Sequence, residues 1–185
     1  KSWFLNGDRI YLDYLPKVKF DNNDQEVIKF LEDKQYKVDY LNGYAEKDGR
    51  KLRIGKLLQS LNEDDLINIF NNSAARTGAK KQLKIVISQD IHDIGSMSTD
   101  RGWTSCMNLK DGQNADSVYC EVADGGLIAY LIEDDDLDIK RPLARVLIRR
   151  YSNRSGKSYA VLEDEVYGSA PADFKAKIQS WLDER

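Results

Sequence analysis

From Leu83 onward the chain carries β-branched, apolar runs joined by connections that are mostly too short to cross over a sheet. Leu83–Ser88, residues 117–122, residues 127–132, residues 143–151 and residues 159–162 read as strands. Parallel neighbours need a crossover of a dozen or more residues. Asp124-Gly125-Gly126, the acidic bend after Ile132 and the turn-like residues 153–156 can therefore only send the chain back antiparallel. Beyond them, Pro171 stands near the first turn of a helix in which Phe174, Ile178, Trp181 and Leu182 fall at i, i+4, i+7 and i+8. That stripe is apolar on one side and suited to lie on a sheet.

The N-terminal part reads differently. Residues 10–15 form a short strand stopped by Pro16, and residues 23–34 a helix opened by the capping side chains of Asp21-Asn22-Asn23-Asp24. Residues 36–54 form a meander with turns at Asn42-Gly43 and Asp48-Gly49, dipeptides that tolerate positive φ. Two short helices follow, carried by Leu57, Leu58 and Leu61 and by Leu66, Ile67, Ile69 and Phe70. Residues 71–82 have no apolar periodicity and are the best boundary inside the chain. The expectation is an α+β fold: an antiparallel sheet of about five strands over residues 83–163, covered by N-terminal helices and a C-terminal helix. It would be a single domain over 1–185, with an N-terminal helical and meander subregion at 1–72 and a β-rich core at 83–185. Because the chain opens at Lys1-Ser2-Trp3-Phe4 without Met, it reads as a fragment of a longer one.

Composition excludes several classes. Of 185 residues 41% are hydrophobic, yet no apolar run approaches the roughly 18 residues of a membrane span, so no membrane partner is expected. Two cysteines without C-x-x-C spacing and a single histidine argue against a disulfide framework and against a structural metal, and favour a reducing compartment. The net charge of −3 is wrong for a protein that coats nucleic acid by bulk charge. Its distribution is uneven: Glu133 to Asp138 is acidic, and residues 140–157 then hold seven basic side chains and no acidic one. Two patches that attract each other and an anion-binding face explain that pattern equally well. Acidic clusters that include Asp90, Asp93, Asp100 and Asp134–Asp136 read as solvated turns, and no calcium-loop pattern is present.

Chemistry concentrates between the strands at 83–88 and 117–122, because long connections in a compact domain carry function or are disordered. Met97, Trp103, Cys106, Met107 and Leu109 seek burial and argue for order. Ser98, Thr99, Asp100, Arg101, Trp103 and Ser105 interleave hydroxyls, a carboxylate and a guanidinium with an indole, a mixture suited to phosphate, carboxylate or a nucleobase. The alternative is a loop pinned by Trp103 whose hydroxyls satisfy their own backbone.

The series Met97-Ser98-Thr99, Gly102-Trp103-Thr104-Ser105-Cys106-Met107, Gly125-Gly126-Leu127-Ile128-Ala129-Tyr130-Leu131-Ile132 and Arg141-Pro142-Leu143-Ala144-Arg145 resembles a family of proteins encoded in bacteriophage genomes. It is also similar, more faintly, to the PcfJ-like proteins of conjugative elements. The resemblance covers about residues 83–165. It implies a phage or mobile-element origin, and with it a place in the host cytoplasm or in a virion. It implies no reaction.

Three chemistries compete. Glu163-Asp164-Glu165 is an E-x-E after a strand; with Ser98-Thr99, and with Arg53 or Arg76 on the phosphates, it is the material of an ADP-ribosyl transferase. Cys106 with His92 is the available thiol–imidazole pair. Anion binding without catalysis needs a strand in which period two puts Arg145, Leu147, Arg149 and Tyr151 on one face. The reading that follows is an accessory domain that holds a nucleotide or nucleic acid between residues 96–106 and the Arg145/Arg149 strand. A protein-binding module acting on a host or viral protein is the rival. No cofactor is defined by the sequence.

Overall fold

Leu83–Ser88 and Leu127–Glu133 are buried along nearly their whole length, so side chains pointing to both faces need a covering layer. The computed structural model, which describes residues 4–16, 18–79 and 82–185, supplies one on each side. Its residues fall into two units, 4–16 with 82–185, and 18–79. The larger unit holds a five-stranded sheet. Numbered along the chain, its members are β1 (Arg9–Tyr14), β5 (Leu83–Ser88), β6 (Leu127–Glu133), β7 (Ala144–Ser152) and β8 (Ser158–Gly168), in that spatial order. Every neighbouring pair is antiparallel, and the fold is α+β as expected.

One face buries Ile85, Ile87, Leu127, Ala129, Leu131, Val146 and Ile148 against α7 (Phe174–Asp183), whose Phe174, Ile178 and Trp181 form the expected stripe. The opposite face buries Val86, Ile128, Tyr130, Ile132 and Leu147 against Ile94 of α5 (Ile91–Gly95), Met97, Met107 and Val118 of α6 (Ala115–Asp124). Alternation along β7 is therefore as the period-two pattern requires.

The sheet has five strands, but not the expected five. Residues 117–122 lie inside α6, and β1 takes the fifth place at the edge beside β5. Val118 and Val122 are four apart and share a helix face, with Val118 buried while Tyr119 is exposed. The run of Val, Tyr, Cys and Val has strand propensity, and packing against the sheet overrides it. Gly125, at φ 72°, ends the helix by donating its N–H to the carbonyls of Glu121 and Val122.

A polar knot ties β1, β5 and α5 together. Asp93 is buried and accepts from Arg9 Nε at 2.6 Å, from Arg9 Nη2 at 2.7 Å and from Ser88 Oγ at 2.5 Å. Its own carbonyl accepts from Tyr130 Oη at 2.6 Å. Burial pushes the Tyr130 phenol up to about 12.

The smaller unit has its own core. It contains α1 (Asn22–Asp33), a three-stranded antiparallel meander of β2 (Lys37–Asp39), β3 (Tyr44–Lys47) and β4 (Arg50–Arg53), then α2 (Ile54–Ser60), α3 (Asp64–Asn71) and α4 (Ala74–Ala79). Val27, Leu31, Tyr40, Ile54, Leu58 and Phe70 pack together inside it. Asp48 and Gly49 both take positive φ, 51° and 74°, the two-residue hairpin geometry their types favour. The segment without apolar periodicity at 71–82 holds the short α4, and the residues belonging with the large sheet resume at Gln82.

Replacing Asp93 with Ala should leave Ser88 without its acceptor, release Arg9 to solvent and cost about 1.5–3 kcal/mol, the range for hydrogen bonds to a charged group. Urea unfolding of the wild type and D93A, followed by circular dichroism, measures it; a loss under about 0.5 kcal/mol, within the range of ordinary surface substitutions, would show that the knot is dispensable.

Candidate functional site

The register places Tyr130, Arg145 and Tyr167 directly beside one another across β6, β7 and β8. Arg145 is only 2% exposed, and its guanidinium lies 4.0 Å from the centre of the Tyr167 ring. Its Nη2 donates to Ser98 Oγ at 2.9 Å and Ser105 Oγ at 3.3 Å, while its Nε is buried with no partner. Among the described residues, Arg145 forms no ion pair with a carboxylate. Burial pulls its pKa below the ordinary arginine value, against the attraction of Tyr167, Tyr130 and Glu165. Its direct contacts are hydroxyl dipoles and a ring face, with the Glu165 charge acting from further off.

Next to Arg145 the β7–β8 pairing slips. Val146 faces Val166 and Ile148 faces Leu162, so Glu163, Asp164 and Glu165 stand opposite the single residue Leu147. Such a bulge re-aims side chains. Here Glu163 and Glu165 line a pocket of about 200 Å³ together with Arg145, Arg149, Tyr167, Leu147 and, from the layer above, Cys106, Met107, Asn114 and Ser117. Arg149 is bound at both ends, with Nε 2.8 Å from Glu121 Oε1 and Nη1 3.4 Å from Glu163 Oε1. Burial lowers its pKa, and the two carboxylates outweigh that and hold it above the usual value. Cys106 is exposed, and Asn114 Nδ2 lies 3.4 Å from its Sγ.

Residues 96–106 thus do lie against the Arg145 strand, but their polar groups divide. Ser98 and Ser105 hold Arg145, and Cys106 reaches the pocket. The remaining groups serve the loop. Thr99 Oγ1 accepts from the Leu109 N–H at 2.9 Å, and Asp100, at φ 56°, pairs with Lys110 at 2.6 Å. Arg101 donates to the carbonyls of Ser96 and Ile139, each at 3.0 Å. Trp103 packs against the apolar cluster on the Val86, Tyr130 and Leu147 face of the sheet with its Nε1 unpartnered, and a Cβ at Gly168 would stand 2.9 Å from its ring. None of Thr99, Asp100, Arg101 or Trp103 lines the pocket.

His92 is exposed on α5 and is not among the pocket residues; the N–H groups of His92 and Asp93 donate to Asp90, which caps that helix. Glu163 and Glu165 belong to the large-sheet unit, whereas Arg53 and Arg76 belong to the smaller one. The acidic bend is a built turn: Asp136 accepts from the N–H groups of Lys140 and Arg141 at 2.9 and 2.8 Å, and Asp134 pairs with Lys84 at 2.8 Å. Among the described residues no three His, Cys, Asp or Glu side chains are arranged to hold a metal, and no helix is long and apolar enough to cross a membrane.

Sequence reasoning missed Tyr167, Asn114, Ser117 and Glu121. Tyr167 was within reach, because it continues Glu163 and Glu165 at period two. The other three belong to the start and body of α6, and reading its residues 117–122 as a strand concealed them. No protein-family model, curated protein or solved structure matches the chain.

Arg145→Lys keeps the charge but cannot stack a plane on Tyr167 while bridging two hydroxyls. Amide hydrogen exchange in residues 96–106 should then accelerate by about tenfold or more, the loss of one to two hydrogen bonds' worth of local stability. Exchange indistinguishable from wild type would show that Arg145 does not hold the loop.

Proposed function

We propose that the protein binds an anionic partner, a single-stranded nucleic acid, along the face that runs from the Arg145 pocket to the tip of the β7–β8 hairpin. The observation that carries this reading is Arg145 itself, a buried guanidinium in a pocket wall with an unpartnered Nε and no carboxylate bound to it. Among the described residues no carboxylate pairs with it, and the charge of a guanidinium lining a pocket favours an anion there. The pocket, at about 200 Å³, is smaller than typical drug-sized sites and suits a phosphate or a strand end rather than a whole nucleotide.

The same face extends outward. Tyr151 and Tyr159 are cross-strand partners, stacked with ring centres 5.9 Å apart, and are 42% and 49% exposed. Beyond them Arg154 and Lys157 stand exposed at the hairpin tip, and residues 139–162 contain no acidic side chain. Aromatic plates beside cations accept successive bases without reading their sequence. Arg149 contributes less than its charge suggests, because Glu121 and Glu163 occupy it.

Fluorescence anisotropy with a labelled single-stranded 20-mer tests this. Wild type should bind, and affinity should fall steeply with salt. Arg154→Gln with Lys157→Gln should flatten the salt slope by roughly 1.4, about 0.7 for each phosphate no longer neutralised. Tyr151→Ala with Tyr159→Ala should weaken binding by about 1–3 kcal/mol per stacked base and leave that slope alone. Arg145→Met, with its fold checked by circular dichroism, should weaken it as well. Absence of binding by wild type, or affinity unchanged in all three variants, would overturn the proposal.

A further inference from the structure

The smaller unit contains a cavity of about 710 Å³, larger than the Arg145 pocket and built from a different part of the chain. Its walls are the turn at Asn42-Gly43-Tyr44, the junction of β4 with α2, one side of α3, and Arg76 of α4. Three cations line it, Arg53, Lys56 and Arg76, against the single carboxylate of Asp64. Among the described residues none of the three cations is in an ion pair.

Arg76 is the group that most needs a partner. Its guanidinium is stacked 3.6 Å from the centre of the Phe70 ring, and its Nη1 donates to the Phe70 carbonyl at 3.0 Å. Its Nε is buried with no acceptor. Burial pulls its pKa below the ordinary value, against the attraction of Tyr40 and Asp24. Asp24 makes no direct ion pair with Arg76 among the described residues, and its Oδ1 accepts from Tyr40 Oη at 2.8 Å. The guanidinium is also given room: Gly43, at φ 81°, would carry a Cβ only 3.0 Å from Arg76 Nη2 if it were any other residue. A planar cation stacked in a pocket wall, with two exposed cations lining the same pocket, is an arrangement for a phosphate ester. Tyr44, Ile67 and Phe70 add apolar wall, and Asn42 and Asn71 add amide groups that can meet the edge of a ring.

We propose that this cavity binds a nucleoside di- or triphosphate, with its phosphates on Arg53, Lys56 and Arg76. The site is separate from the hairpin face and does not depend on it. ATP serves as the probe, in isothermal titration calorimetry on the whole chain. Wild type should bind one ATP saturably, and adenosine should bind at least about tenfold more weakly, because it carries no phosphate for the three cations. Arg53→Ser with Lys56→Ser, both exposed positions, should weaken ATP by about tenfold or more. In ¹⁵N-labelled wild type, ATP should shift the Gly43 and Gly55 amides and leave Gly126 and Gly168 in place, a readout that needs no variant. No saturable ATP binding at millimolar concentration, an affinity unaltered by the double substitution, or shifts confined to the large-sheet unit would each overturn the assignment.

Discussion

A buried charged side chain set between two tyrosines on one face of the sheet organises the larger unit. Arg145 sits in register between Tyr130 and Tyr167, where Val86 continues the same cross-strand row on β5. Removing a guanidinium from water is expensive unless its donors are met. Here they are met in part, by two serine hydroxyls and the face of a tyrosine, and by no carboxylate. Those hydroxyls come from positions 98 and 105 of one loop, so the loop must return twice to the same point. Its course follows from that need, as does the inward seat of Trp103. The pocket is the space left where the loop, the start of α6 and the bulge in β8 fail to close over the cation.

The basic side chains between residues 140 and 157 meet unlike environments: Lys140 pairs with Asp138 at 3.4 Å, and Arg150 Nε donates to Ser158 Oγ at 2.9 Å. The backbone N–H groups of Lys140 and Arg141 are received by Asp136, closing the acidic bend. Arg145 is buried, Arg149 is shared by two glutamates, and Arg154 and Lys157 stand at an exposed hairpin tip. Both explanations of the charge run therefore hold for different members of it: part is internal pairing, and part is a surface that meets solvent as cation. The same division applies to the loop, where Arg101 and Asp100 use their charge to fix its shape.

Much of the architecture was legible because it rests on local rules. The Asp48-Gly49 turn, the Asp21 cap of α1, and the i, i+4, i+7 stripe of α7 each act within a few residues, and each stands where its pattern put it; at Asn42-Gly43 only Gly43 takes positive φ, in a four-residue connection over 40–43. The exception at α6 is instructive. Val118, Tyr119, Cys120 and Val122 favour a strand on propensity, and only the neighbouring sheet face, which needed a cover over Ile128 and Leu147, turns them into a helix. With α6 misread, the edge beside β5 was left without β1, and Glu121 was missing from the neighbourhood of Arg149.

What the sequence determined by itself was therefore the kind of layers this chain can build: antiparallel strands apolar on both sides, an amphipathic C-terminal helix, and a polar loop with too many burial-seeking residues to be loose. These follow from spacing and turn chemistry, which are short-range. Only the tertiary structure decided which charges are neutralised internally and which remain. Ser98 and Arg145 are 47 residues apart and Arg9 and Asp93 are 84 apart, and nothing local announces either pairing. The slip that sets Glu163, Asp164 and Glu165 against one residue of β7 belongs to the pairing of two strands, so no pattern within either one reveals it.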